Sequence, residues 1–352
     1  MVSSLGSSWP GAVELTVDVD GDGESRALAY DQVVGRPEVG DRVLLNTTAL
    51  SMSLGTGGYA MVVALPDRLP ADPPPGPGHL VKARYTPLQT TVLGIDEQDS
   101  PAHEALREAD DLDGMPVVVA DLHSALPAVI GGVRTSAAEA RVAYVMTDGG
   151  ALPLWFSRSV AALREADWLA GVVTVGQAFG GDAEAVTLYS GLLAARHVLM
   201  ADVAVVAQGP GNLGTGTRWG FSGVACGEAV NATVILGGRC VGSLRISEAD
   251  PRERHHGISH HSLTAYGKVA LAAADIVVPE LDGELGTKIR AQVAGLSRHH
   301  VVTVVVDGLL DALRMAPVRL STMGRGLDDD TAYFLAAAAA GRHAAALLRP
   351  GG

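Results

Sequence analysis

Four imidazoles crowd one short stretch: RERHHGISHHS, residues 252–262, places His255, His256, His260 and His261 beside Arg252 and Arg254. Imidazole changes charge near neutral pH and, when neutral, ligates transition metals. Arginine grips carboxylates and phosphates through charge-assisted hydrogen bonds. His256 and His260 stand at i,i+4 and would share one face of a helix, but Gly257 between them interrupts a regular helix. The stretch therefore reads as metal ligands, as proton-transfer groups or, with the arginines, as a grip for an anionic substrate. A solvated polar loop without chemistry is the plain alternative.

Other candidates follow apolar runs of strand length. In an open α/β sheet, ligands bind outside the carboxyl ends of the strands. Asp121 and His123 follow the run at 116–120, Asp148 with Gly149 and Gly150 the run at 142–147, and Gln177 and Asp182 the run at 171–175. Gln208 follows the run at 202–207 and Asp307 the run at 301–306. If these strands are parallel neighbours, the groups share one edge, with Asp121, His123 and Asp148 as candidate acid, base or metal-binding groups. Turns and caps also favour Asp, Gln and Gly, which explains any one position alone.

The loop GPGNLGTGT, residues 209–217, satisfies G-x-G-x-x-G at Gly209, Gly211 and Gly214 directly after an expected strand. Backbone N–H groups of such a loop, with Asn212, Thr215 and Gly216, can cradle a phosphate when a helix start follows. No acidic residue stands about 20 positions further on to take a ribose hydroxyl, and the next helix is interrupted by Gly220, Gly223 and Gly227, which speaks against dinucleotide binding. No Gly loop runs into G-K-[ST], which excludes a P-loop hydrolase.

A second arrangement is the order Asp121-x-His123, Gly181-Asp182, Gly211-Asn212 and the histidine pairs, the order of ligand types in metallophosphatases, where paired metals activate a water. The match lacks a His after Asn212 and a terminal GHxH. His299 and His300 read as strand-edge residues and His343 as a helix-face residue.

The elements that must position these groups fall into two regions. Residues 12–19 alternate apolar and polar up to Asp20-Gly21-Asp22-Gly23, a hairpin signal. With further strand-like runs at 27–34, 42–46 and 59–65, this predicts a small β-barrel-like domain over residues 1–65. PDRLPADPPPGPG, residues 66–78, predicts an extended linker. Beyond it, strand runs, including one at 240–246, alternate with expected helices at 157–166, 182–199, 223–236, 283–294 and 331–348. That rhythm predicts an α/β domain over residues 79–352, three-layered and Rossmann-like. Asp182 and Asp330 stand where N-caps are wanted.

Composition narrows the class. The 352 residues suit two domains, and 47% hydrophobic with 18% charged content suits a large core. A net charge of −13 argues against a nucleic-acid partner. Cys226 and Cys240, without CxxC spacing, read as buried thiols. No stretch reaches about 18 apolar residues and the N-terminus lacks an h-region, so a cytoplasmic protein without a membrane span is expected. The alanine-rich segment 336–346 is an expected closely packed helix and a candidate contact in a homo-oligomer.

Four segments, HLVKARYTPLQ (79–89), GPGNLGTGTRWGFSG (209–223), RHHGISHHSLTAYG (254–267) and STMGRGLDDDTAYFLAAAAAGRHAA (321–345), resemble the bacterial domain-of-unknown-function family 3866 over essentially the whole chain. The resemblance transfers no catalytic residue. Three functions stay open. The first is an enzyme or binding protein for a small anionic or phosphorylated molecule, held by the Gly-rich loop, Arg252, Arg254 and the histidines. The second is a metallophosphatase-like hydrolase with a divalent metal cofactor. The third is a non-catalytic interaction or regulatory module.

Overall fold

The alternating run after residue 12 folds into the centre of an N-terminal sheet. Its strands are β1 (Val2–Trp9), β2 (Ala12–Val19), β3 (Gly23–Ala29), β4 (Leu44–Asn46) and β5 (Ala60–Ala64), in the order β1-β2-β3-β5-β4. Val13, Leu15 and Val17 face its core while their neighbours face outward, as a period of two requires. The sheet is open, with β1 and β4 at its edges, where closure into a barrel was the expectation. Strand β1 was not foreseen, because its Ser- and Gly-rich sequence is largely exposed and carries no apolar alternation.

This computed structural model describes residues 1–72 and 76–348, so residues 73–75 of the expected linker and residues 349–352, beyond the expected C-terminal helix, lie outside the described residues. After the linker, the hairpin β6 (Leu80–Lys82) and β7 (Thr90–Val92) leads into the larger sheet. Lys82 is buried there, its Nζ 3.0 Å from the carbonyls of both Ala178 and Ala185 and 3.4 Å from Glu184. Burial lowers the Lys82 pKa and raises that of Glu184.

Aliphatic runs buried on both faces belong inside a parallel sheet. Strands β8 (Pro116–Val119), β9 (Val142–Thr147), β10 (Gly171–Thr174), β11 (Ala183–Glu184), β12 (Val203–Gln208) and β13 (Arg239–Ser243) take part. The short pair β14 (Ile246–Ser247) and β15 (Gly257–Ile258) lies outside this sheet, which β16 (Asp275–Pro279) and β17 (His300–Val304) complete. The order is β11-β10-β9-β12-β8-β13-β16-β17, every pairing parallel. The sheet separates two layers: Val117 and Val119 join one apolar cluster, Val118 and Ala120 the other.

Helices cover both faces. Leu126–Arg134, Arg158–Glu165, Leu309–Arg314 and Thr331–Ala346 lie on one, and Leu188–His197, Cys226–Ile235 and Gly283–Val293 on the other. The alanine-rich helix Thr331–Ala346 is core within its own chain rather than a free face for a partner. It approaches Leu126–Arg134 so closely that a Cβ on Gly132 would lie 1.9 Å from the Ala338 carbonyl oxygen, and one on Gly341 1.9 Å from that of Val129. Cys226 and Cys240 are free and buried, as expected.

Two expected caps are otherwise engaged. Asp182 accepts a hydrogen bond from Val172 N and pairs with Arg164, while the helix Leu188–His197 is capped by Thr187 in a capping box with Ser190. Asp330 makes no side-chain cap and instead binds Ser247 and Arg325.

The chain order creates a switch point at β8. From β8 the chain crosses one face through Leu126–Arg134 to β9, and from β12 it crosses the other through Cys226–Ile235 to β13. The connections leaving the carboxyl ends of neighbours β8 and β12 therefore part to opposite sides, the arrangement that opens a ligand crevice.

Candidate functional site

Asp121 follows β8 into that crevice. It is buried, and burial raises its carboxyl pKa, partly offset by the nearby Arg245. Gly223 leaves room for it, since a Cβ there would stand 3.0 Å from Asp121 Cβ. Gln208, the last residue of β12, donates from Nε2 to the Asp121 carbonyl and to Asn212 Oδ1, both at 2.8 Å. Asn212 Oδ1 also accepts from Ser222 Oγ at 2.9 Å, so this network fixes the loop against the sheet.

The histidines arrive from the excursion after β13. Backbone bonds pin it: Ser259 N donates to the Arg245 carbonyl at 2.8 Å, and Arg245 N donates to Ser262 Oγ at 2.9 Å. At Gly257 φ is +76°, and a Cβ would lie 2.4 Å from Gln292 Oε1, which accepts from Ile258 N; glycine is the residue that fits. Ser259 then caps the short helix His260–Thr264 through His261 N and also bonds His255 Nδ1 at 2.7 Å. In the tautomer that donates from Nδ1 to Ser259, the His255 Nε2 lone pair is left free.

The result is a cluster of three rings. His255 and His260 centroids are 4.9 Å apart, His260 and His261 4.4 Å, and His255 and His261 4.9 Å. Each offers a ligand nitrogen, and these atoms lie within 4.8 Å of one another. Phe221 stacks flat on His261 at 3.8 Å, and His261 Nδ1 stands 3.9 Å from Asp121 Oδ2. Burial, followed by neighbouring positive and imidazole groups, pulls His255 and His261 down to about 3 and lowers His260, so the rings are neutral at pH 7.

Buried polar atoms are normally satisfied, and exceptions point to function or a missing partner. Five buried side-chain polar atoms of the described residues have no hydrogen-bond partner, and four belong here: Asp121 Oδ2, Gln208 Oε1, His260 Nε2 and His261 Nδ1. Gln208 Oε1 faces Gly149 at the rim of a small cavity lined also by Asp121, Thr147, Ser222 and Cys226.

Not every candidate meets this cluster. His123 is a scaffold residue, bonded to Tyr144 Oη at 3.1 Å and Ser157 Oγ at 2.7 Å, and burial holds it at about 4. Asp148 accepts from Gln177 N and organises a turn. His256 turns away from the three rings to Lys288 Nζ at 3.1 Å, and no helix joins it to His260. With Asp182 paired to Arg164, the metallophosphatase ligand order is not assembled. Arg252 is spent in two bonds to Asp250.

The Gly-rich loop also differs from the expected cradle. Gly214 and Phe221 bridge antiparallel and Thr215 N donates to the Gly220 carbonyl, closing a hairpin rather than a helix start. The Thr215 hydroxyl stays inside the loop near Thr217, and Gly209 packs beneath Ala151. Gly211 is exposed with φ +94°, and Gly216 lies against Arg254, whose guanidinium would be 3.7 Å from a Cβ there. Gln208 stands at the strand end where it was expected, whereas Arg245, Phe221 and Ser259 escaped the sequence reading, although S-H-H after a glycine carries the Ser N-cap signal that would have found Ser259.

Fold and crevice together define a parallel α/β protein with a histidine–carboxylate cluster at its topological switch point. The chain belongs to the family described as Protein of unknown function (DUF3866), whose model matches residues 26–341. No curated protein and no solved structure matches it. Among the described residues, no helix is long and apolar enough to cross a membrane.

Proposed function

We propose that this chain is a metal-dependent hydrolase whose divalent ion is held by His255, His260 and His261, with Asp121 beside them. The observation that carries the reading is the set of unpartnered buried atoms on His260, His261 and Asp121, in a cluster whose ligand nitrogens lie within 4.8 Å of one another. Small ring rotations bring such nitrogens to the edge of about 3.3 Å that a tetrahedral site with metal–nitrogen bonds near 2.0–2.1 Å requires. Three imidazole ligands suit zinc and its first-row neighbours rather than magnesium or calcium. The Ser259 contact to His255 is the kind of supporting bond that orients a ligand ring.

A bound divalent ion would supply Lewis acidity toward a water and a substrate oxygen. Asp121 Oδ2, free of other partners, takes the proton of that water. Gln208 and Asn212 keep the crevice wall in place, and Phe221 covers one face of His261.

Elemental analysis tests the proposal on full-length protein purified without a histidine tag or chelator. The expected result is close to one zinc, manganese, iron or nickel per chain, lost in His260→Ala. Folded protein that carries no metal and takes up none on titration refutes it. Metal in full stoichiometry without hydrolysis of any ester, phosphoester or amide in a broad panel reduces the site to a structural one.

A further inference from the structure

The hairpin formed by residues 214–221 has a tip that no scaffold role explains. Arg218 and Trp219 are exposed there, and Arg218 has no hydrogen bond or ion pair among the described residues. Arg254 is likewise exposed and unpaired, and it lies against Gly216 of the same tip. It is also close enough to His260 to act on the charge of that ring. Most neighbouring cations are spent: Arg252 and Arg325 on Asp250, and Lys288 on Glu253 and His256. Arg254 thus adjoins the histidine cluster, and so does the hairpin that carries Arg218, since Phe221 at its base stacks on His261 and Gly216 lies against Arg254, in a chain whose net charge is −13.

We infer that the substrate is a phosphate monoester, its phosphate held between Arg218 and Arg254 above the three histidines and its organic part laid on Trp219. This rests on the hydrolase reading for the chemistry but not for the binding. A divalent ion beside one carboxylate leaves one net positive charge, and the two arginines make three, an excess that favours a compact dianion over a monoanion or a neutral ligand. Two guanidinium groups at one hairpin are too few for a nucleic-acid backbone, which is bound by many clustered Lys and Arg. Planar guanidinium groups pair bidentately with phosphate oxygens, and an exposed indole offers an apolar and aromatic platform. In the reaction, the water oxygen forms a bond to phosphorus while the phosphorus–oxygen bond to the organic group breaks. Its electron pair stays on the leaving oxygen, which receives the proton that Asp121 took from the water. The products are an alcohol and inorganic phosphate.

The test is calorimetric titration of the full-length protein with phenyl phosphate, and separately with phenol and inorganic phosphate, each before and after saturation with zinc. Arg218→Gln and Arg254→Gln are each expected to weaken phenyl phosphate at least tenfold while zinc stoichiometry stays that of the wild type. Trp219→Ala is expected to weaken phenyl phosphate but leave inorganic phosphate unchanged. Wild-type affinity in the double arginine variant overturns the proposal, as does failure of the zinc-saturated protein to bind phenyl phosphate at millimolar concentration. If the protein takes no zinc, the hydrolase reading fails alone: arginine-dependent phosphate binding then still supports the anion site, and its absence overturns it.

Discussion

The excursion between β13 and β16 carries two buried polar clusters only a few residues apart, and they are built on opposite terms. In the first, Asp250 is surrounded by Arg245, Arg252 and Arg325, with Ser247 and Asp330 closing the network. The Asp250 side chain is fully buried, and both of its oxygens have partners. In the second, His255, His260 and His261 meet Asp121, and three of the four residues keep a buried atom with no partner. Burial is common to both, and satisfaction is what separates them. A buried charge that is fully paired holds a fold together, whereas a cluster of unpaired acceptors is costly unless something else binds it.

The largest effect that can break this contrast falls on the first cluster. Asp250→Ala leaves Arg245 buried without its carboxylate and is expected to cost about 3–5 kcal/mol, the range for removing one partner of a buried pair. Urea unfolding of the metal-free protein measures it, and wild-type stability in this variant would mean that the hub is not structural. The same carboxylate gives a pH dependence. Burial alone would raise its pKa, but hydrogen bonds from Arg252, and then the charge of Arg252, hold it below the ordinary 3.8. A depressed folded pKa contributes stability that is present above the unfolded value and is lost as pH falls below it. The acid limb of unfolding is therefore expected to begin near pH 4 and to flatten in Asp250→Asn.

The second cluster should respond in the opposite way. His260→Ala removes a ligand without removing a hydrogen bond from Nε2, so metal affinity is expected to fall at least about 100-fold, equivalent to about 2.7 kcal/mol. Metal-free stability should move by less than about 1 kcal/mol. Zinc titration and urea unfolding on the same samples separate the two. A variant that unfolds like Asp250→Ala but keeps its metal would erase the distinction between the clusters.

Ser259→Ala lies between these cases, because Ser259 both caps a helix and orients His255. Loss of the cap is expected to cost about 1 kcal/mol, and loss of the supporting bond about tenfold in metal affinity. Competition with a chromogenic chelator reads the affinity. A loss of stability with unchanged affinity would leave Ser259 as a cap alone.

Much of this was legible in the residues, for physical reasons that differ by region. Runs such as PVVV at β8 must be buried on both faces, which is why the parallel sheet and the carboxyl-end position of Asp121 could be read. Strand β16 was missed because its apolar stretch is short and ends in Pro279, which reads as a breaker. The histidine cluster was visible as composition, but which three rings converge depends on Gly257, the Ser259 cap and the short pairing of β14 with β15. Those features reverse the chain between His256 and His260. Asp121 and His123 look equivalent in sequence, yet one reaches the cluster and the other bonds Tyr144 and Ser157 beneath the neighbouring strand ends. Only the count of partners distinguishes them.

His256 gives the smallest effect and the sharpest control. It belongs to the same HHGISHH run, and sequence alone ranks it with His260. In the fold its ring meets Lys288 on the helix Gly283–Val293, away from the other three. Replacing it with Ala is expected to leave zinc affinity within about twofold and stability within about 0.5 kcal/mol, the usual range for a partly exposed position without a special role. Zinc titration of His256→Ala beside His260→Ala gives the comparison directly. If His256→Ala instead abolished metal binding while His260→Ala did not, the ion would sit on the Lys288 side of the excursion, and the unpartnered atoms near Asp121 would need a different ligand.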